Sequence, residues 1–418
     1  MRYSTTKIIR LRSAGKLSQA LVVFCCAAYL ATTLYAADEP RVLTPTPSSF
    51  ETLSRFTQLL EVLQKDYVQP SHINTARSTT AALRGFVRSI DPEADLLTPE
   101  EAAVTNELAD TAAAIGLNFA IGDDFPTVIA PRDGSPAENG GLLGGEKIIA
   151  ISDVSTPHAR RIEVDRLLGG PRDFPVNLRV LDPRTGAVRD LHVRRAVPGP
   201  ASQAVLRYLD KGIAYYRVSQ FTQDAVESLR AAMILAKSKG SAGIILDLRN
   251  NAGGAFEAAQ VAASFFVVKG TELVALEYGV PGLHTTFVSD ESLNVTAPLV
   301  LLVNGGTAAE AEVFAAALQD NHRARIVGTQ TFGRGFLSAS TTLSDGSVLV
   351  IPTAYYMRPS KEILQDKGLT PDVVVELPRE TERSLARTGF GTFNWKTDHT
   401  EVLATDLPLA KAIALLAK

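Results

Sequence analysis

The chain has 418 residues, 42 Lys+Arg against 45 Asp+Glu, a formal net charge of −3 and 45% hydrophobic residues. That length allows two or three domains of ordinary globular composition, and the lack of a basic excess excludes nucleic acid as a partner. Both cysteines, Cys25 and Cys26, lie near the N-terminus, the six histidines show no ligand spacing and no Gly-rich phosphate loop is present, so no metal and no cofactor is expected.

Residues 1–37 open with a positive stretch, Arg2, Lys7, Arg10, Arg12 and Lys16, followed by the uncharged run Leu17–Ala36. This is the pattern of an export signal. Ala36-Ala37 offers small residues for cleavage, but Leu34 and Tyr35 fit the Ala-x-Ala rule poorly, and the run is near the length that spans a bilayer. A cleaved signal and an uncleaved N-terminal anchor therefore both stand. The remainder is expected in the periplasm or another extracytoplasmic space, touching a membrane only through residues 17–36 if these are retained. Residues 38–49, rich in Pro, Thr and Ser, read as a linker.

Residues 50–111 read as helical. Leu53, Phe56, Leu60 and Leu63 recur at helical spacing, a second helix covers Thr75 to Ile90, and Thr98-Pro99-Glu100-Glu101 is a capped helix start. Residues 112–197 carry Ile115-Gly116-Leu117-Asn118-Phe119, then Ser135-Pro136-Ala137-Glu138, Gly145-Glu146-Lys147-Ile148 and Val164-Asp165-Arg166-Leu167-Leu168-Gly169-Gly170. These stretches resemble the PDZ domain. The resemblance implies that Gly116, Leu117, Asn118 and Phe119 form a carboxylate-binding loop and edge strand for a peptide C-terminus, with Val164, Leu167 and Leu168 lining the side-chain pocket.

An α/β body is expected over residues 198–380, with a helical tail over 381–418. Gly212-Ile-Ala-Tyr215 reads as a strand and Asp224–Lys237 as an amphipathic helix. Gly243-Ile-Ile-Leu-Asp-Leu-Arg-Asn-Asn-Ala-Gly-Gly254 is a strand broken by glycines before a helix from Ala255 to Val267. Within it, Asp247 and Arg249 read as a structural ion pair. The apolar strand Leu299–Val303, the break Asn304-Gly305-Gly306, a helix capped by Thr307 with Glu310, a strand at Ala324–Val327 and the turn Gly333-Arg334-Gly335 make a parallel crossover unit. Sites in such sheets form at the C-terminal ends of strands. Asp345-Gly346 marks a hairpin, and Leu407–Ala417 after Asp406 reads as a last helix.

The run Val303-Asn304, Thr307-Ala308, Glu312, Ala317-Leu318-Gln319-Asp320, Arg323-Ala324, Val327-Gly328 and Thr331-Phe332-Gly333 resembles the carboxyl-terminal processing peptidases, or tail-specific proteases. Leu246-Asp-Leu-Arg-Asn-Asn-Ala-Gly-Gly254 and the segments after residue 341 extend the resemblance over about residues 50–418. It implies a serine-type peptidase core with a parallel βαβ sheet behind an N-terminal helical region and the PDZ domain. It also implies where catalysis has gone. The family's nucleophilic serine falls on Ala309, its general-base lysine on Arg334 and its helper glutamine on Ser338, while oxyanion-hole positions fall on Gly253, Gly254 and Glu310. Alanine offers no nucleophile, and arginine stays protonated and cannot act as base. The expectation is an exported, inactive relative that binds protein or peptide C-terminal tails as scaffold or regulator, its partner an active peptidase relative or an envelope complex. The alternative is an active serine-type endopeptidase with another nucleophile, Thr307, Ser338 or Ser340.

Overall fold

The structure is a computed structural model describing residues 47–112, 115–196 and 206–417. The expected export segment, residues 1–37, lies outside them. Among the described residues no helix is long and apolar enough to cross a membrane. The chain forms two compact units, one ending at Val87 and the other beginning at Arg88.

The smaller unit holds α1 (Pro47–Asp66) and most of α2 (Thr75–Ile90). α1 starts three residues before the expected Phe50, at a proline whose fixed φ suits a first helical turn. The larger unit begins with β1 (Asp95–Leu97) and α3 (Pro99–Ala112). The start of α3 is a reciprocal box: Glu101 N–H donates to Thr98 Oγ1 at 3.2 Å, and Thr98 N–H donates to Glu101 Oε2 at 3.1 Å.

Residues 115–195 then build a mostly antiparallel sheet from β2 (Leu117–Ala120), β3 (Thr127–Pro131), β4 (Lys147–Ile151), β5 (Val154–Ser155), β6 (Pro175–Leu181) and β7 (Val188–Arg194), with the short helix α4 (Pro136–Asn139) and α5 (Arg161–Leu168). The order is β2-β3-β4-β6-β7, with β5 on β4. β2 is thus an edge strand. Alternating burial along β6, where Val176, Leu178 and Val180 point inward, gives this module its own core.

The body is a parallel sheet. β8 (Arg207–Tyr208) and β9 (Ile213–Arg217) precede α6 (Gln223–Ser238), β10 (Gly243–Asp247), α7 (Phe256–Ser264), β11 (Glu272–Tyr278) and β12 (His284–Val288). β13 (Leu299–Val303), α8 (Glu310–Asp320) and β14 (Ala324–Gly328) form the expected crossover. β15 (Phe336–Thr342) and β16 (Val348–Met357) form the expected hairpin, and β17 (Val373–Val374), α9 (Arg379–Thr388), α10 (Trp395–Thr405) and α11 (Leu407–Leu416) complete the chain. The central sheet runs β17-β14-β13-β10-β9-β8, parallel except at β8. Both its faces are covered. Ile244, Leu246, Leu299 and Leu301 meet α6–α8, while Ile245, Val300 and Leu302 meet α10 and α11. That double cover is why β13 is a continuous apolar run rather than an alternating one. A second sheet, β1-β16-β11-β12 with β15 on β16, is antiparallel. The architecture is α/β, and the ends of β10 and β13 stand side by side, with Asp247 paired to Leu302.

Candidate functional site

The turns after β10 and β13 are tied together before any functional side chain is considered. Asn304 Oδ1 accepts the N–H groups of Asn250 at 2.9 Å and Gly306 at 3.0 Å. Thr307 is fully buried, and its hydroxyl donates to Leu248 O at 2.9 Å. That bond corrects the expected cap. Helix α8 starts at Glu310 with Ala309 as its N-cap, and Glu312, three residues on, accepts the Ala309 N–H at 3.0 Å. The tight elbow delays the helix by two residues, so Thr307 is spent on the neighbouring strand.

Ala309 has φ 51° and ψ −122°, a backbone state that a residue with a Cβ holds at a cost of about 1–3 kcal/mol. Gly253 stands opposite. A Cβ there would lie 3.0 Å from Ala309 Cβ and 2.3 Å from Glu310 Oε2, so only glycine fits. Glu310 leaves its helix for this turn: Oε2 accepts the Gly254 N–H at 2.9 Å and Oε1 accepts the Tyr356 hydroxyl at 2.8 Å. The Gly253 N–H donates to Asn251 Oδ1 at 2.9 Å.

Glu312 locks this elbow to the turn before β15. Besides the Ala309 N–H it accepts the N–H groups of Gly333 at 2.8 Å and Arg334 at 2.9 Å, and the Thr331 hydroxyl. Burial pushes its carboxyl up to about 7, against the pull of those donors. The Arg334 guanidinium lies 4.5 Å over the Phe336 ring and reaches Glu93 Oε2 at 3.5 Å. Glu93 also takes Arg161 at 3.3 Å and the Ile121 N–H at 3.0 Å. Burial raises the Glu93 carboxyl, but Arg161, Arg334 and that N–H outweigh it and hold it below the usual carboxylate range.

Ser338 and Ser340 are exposed on β15, Ser338 opposite Pro352. Neither joins Ala309 and Arg334 at the elbow, and the Thr307 hydroxyl already donates its hydrogen bond to the Leu248 carbonyl. Asp247 and Arg249 form the expected structural pair. Arg249 Nε donates to Asp247 at 2.9 Å, and its Nη atoms donate to Asp406, the N-cap of α11, at 2.8 and 2.9 Å.

In the module, Gly116 has φ 66°, and a Cβ would meet Ser135 Cβ at 2.2 Å. Leu117 and Phe119 are buried in the module core. The Phe119 carbonyl accepts from Arg161 Nη2 at 3.0 Å. Of the residues expected to line the side-chain pocket, Val164 and Leu168 are fully buried, and Leu167 packs against the same core. Their spacing of four turns both onto the sheet side of α5, and the small module needs that apolar surface itself.

The open space lies elsewhere. A cleft of about 410 Å³ is lined by Asn118, Arg132 and Asp133 from the module, and by Ser219, Gln220, Asn250, Ala252–Gly254, Glu310 and Arg334 from the body. Sequence reasoning missed Glu93, Arg132 and Asn250. Asn250 alone carried a signal, as part of the Asn-Asn-Ala-Gly-Gly turn.

A model of the peptidase family S41 matches residues 212–375. A carboxyl-terminal-processing protease of Synechocystis sp. is 31% identical over 325 residues, 76% of this chain and 75% of the relative. The carboxy-terminal processing protease CtpA of Bacillus subtilis is 29% identical over 330 residues, 78% of this chain and 70% of the relative. Among solved structures, the photosystem II D1 C-terminal processing protease superposes with a TM-score of 0.66 at 28% identity, over 81% of this chain and 92% of that one.

Proposed function

The chain belongs to peptidase family S41, among relatives named carboxyl-terminal processing proteases, and from that membership we propose that it has lost hydrolysis and keeps the binding of polypeptide C-termini. In this reading Ala309 occupies the nucleophile's position, Arg334 the base's and Ser338 the helper's, with Gly253, Gly254 and Glu310 at the oxyanion hole.

The observation that carries the proposal is the Glu310 carboxylate, 2.9 Å from the Gly254 N–H. An oxyanion hole needs donors left free for charge that develops in the transition state. Here a fixed carboxylate takes one donor and would repel the oxyanion, while Asn251 takes the neighbouring one. The elbow strain at Ala309 persists with no hydroxyl to present. Arg334 is a guanidinium that cannot accept a proton.

Residues 112–197 are read as a PDZ domain and residues 1–37 as an export segment, which puts the work outside the cytoplasm. The partner in this reading is the tail of another exported protein, such as an active peptidase relative or a member of an envelope complex. The test incubates the protein with peptides of varied C-termini and reads both retention and mass by mass spectrometry. Retention that depends on the tail, with masses intact, is the expected result. New termini cut by the wild-type protein would overturn it.

A further inference from the structure

Donors and acceptors around the cleft do not balance. Asn304 Oδ1 takes two backbone N–H groups, so the Asn304 amide nitrogen must face Asn250, and it donates to Asn250 Oδ1 at 2.9 Å. That network fixes the Asn250 amide and leaves its Nδ2 buried with no acceptor among the described residues. Arg334 Nε is likewise buried with no acceptor among the described residues. Arg132 is exposed in the cleft wall, and its guanidinium makes no hydrogen bond or ion pair with the described residues. The carboxylates of the same wall are already used. Both Asp133 oxygens hold Arg217, at 2.7 and 2.5 Å, and both Glu310 oxygens are bound as above.

A cavity lined by the unpaired Arg132, by an Arg334 that keeps one ion pair to Glu93, and by carboxylates already engaged is complementary to a ligand that accepts. Its volume of about 410 Å³ lies within the roughly 300–1,000 Å³ of ordinary ligand sites. Edge strand β2 contributes Asn118 to the wall, so a chain ending in the cleft can leave beside a strand edge that no other strand pairs.

We infer that this cleft is a carboxylate-binding subsite for the free C-terminus of a peptide, held by Arg132 and Arg334 with Asn250. The inference rests on the tail-binding reading and moves the terminal carboxylate from the Gly116–Phe119 loop to the former catalytic cleft. Arginine at 334 then has a use that the family's lysine does not: a planar fork that matches a carboxylate.

The experiment uses the full chain and a pool of labelled decapeptides randomised at their last four positions, as free acids and as C-terminal amides. Retention is read by mass spectrometry, and fold is checked by circular dichroism. The wild-type protein should retain acids over amides by about tenfold or more, the scale of a charge-assisted contact. Arg132→Gln with Arg334→Gln should abolish that preference, and Arg334→Lys, which keeps the charge but loses the fork, should keep only part of it. A preference that survives in the double variant overturns the subsite while leaving tail binding intact. Equal retention of acids and amides by the wild type also overturns it. Retention of neither form sinks the tail-binding reading itself. Excess acetate or inorganic phosphate should displace the peptide acids only at far higher concentration; displacement at equal concentration would mean that the cleft serves a small free anion, not a peptide terminus.

Discussion

At the scale of single residues, the proposal gives Ala309, Glu310 and Arg334 each a different requirement of the same reaction to block: nucleophile, oxyanion donors and base. Repairing one leaves the others, so the effects must be non-additive. Ala309→Ser alone is expected to give no cleavage, because no base takes the hydroxyl proton. Arg334→Lys alone is expected to fail for want of anything to activate. Together they restore the pair at an elbow whose strained backbone is already in place. Removing the Glu310 carboxylate as well frees the Gly254 N–H. Losing one oxyanion donor costs about a hundred- to a thousandfold in another protease, so Glu310→Ala on the double variant should raise the rate by a factor of that order. Hydrolysis of an unstructured tail peptide, followed by chromatography, measures each step. Cleavage by Ala309→Ser alone would show that Arg334 is not the obstacle.

Elements were legible where a local rule had no competitor. Thr98 and Glu101 form the box that their spacing announces, and the substitution Thr98→Ala should cost about 1 kcal/mol in urea unfolding. Thr307 and Glu310 have the same spacing, yet tertiary contacts take both: the Leu248 carbonyl claims the hydroxyl, and the Gly254 N–H claims the carboxylate. Val164 and Leu168 read as pocket residues by resemblance but fill the core of a small module. The cleft itself was not legible, since Arg132, Asn250 and Arg334 come from three distant stretches and their missing partners exist only in three dimensions. The Asp247–Arg249 pair was legible, but its third member, Asp406, lies 157 residues on. Arg249→Ala would leave two buried carboxylates facing each other, and about 3–5 kcal/mol of destabilisation in urea unfolding is expected, as for other broken buried pairs. A loss under 1 kcal/mol would mean that the network is not holding α11 to the sheet.

Across the larger unit, buried ion pairs fasten the module to the body: Arg217 to Asp133, Arg383 to Glu146 at 3.0 Å and Arg379 to Asp182 at 2.7 Å. Titration of buried carboxyls sets how this unit responds to pH. Burial pushes Glu312 and Glu138 up to about 7 and Asp165 to about 6. A carboxyl raised on folding keeps its proton longer in the folded chain, so stability falls as pH rises from the ordinary carboxylate value through the folded one. Carboxyls held low, such as Asp247, act only below that window. The urea midpoint should therefore fall between pH 5 and pH 7.5, each such group costing up to about 1.4 kcal/mol per pH unit, and Glu138→Gln should flatten part of the slope; a midpoint that rises over this range would contradict it. The central claim, a peptidase fold that holds tails without cutting them, is tested most directly by a single-turnover experiment. Wild-type protein in molar excess over a retained tail peptide is sampled for days by mass spectrometry beside the Ala309→Ser, Arg334→Lys, Glu310→Ala variant. An intact peptide with the wild type and new C-termini with the variant are expected; cleavage by the wild-type protein at or above the variant's rate would refute a peptidase fold that only binds.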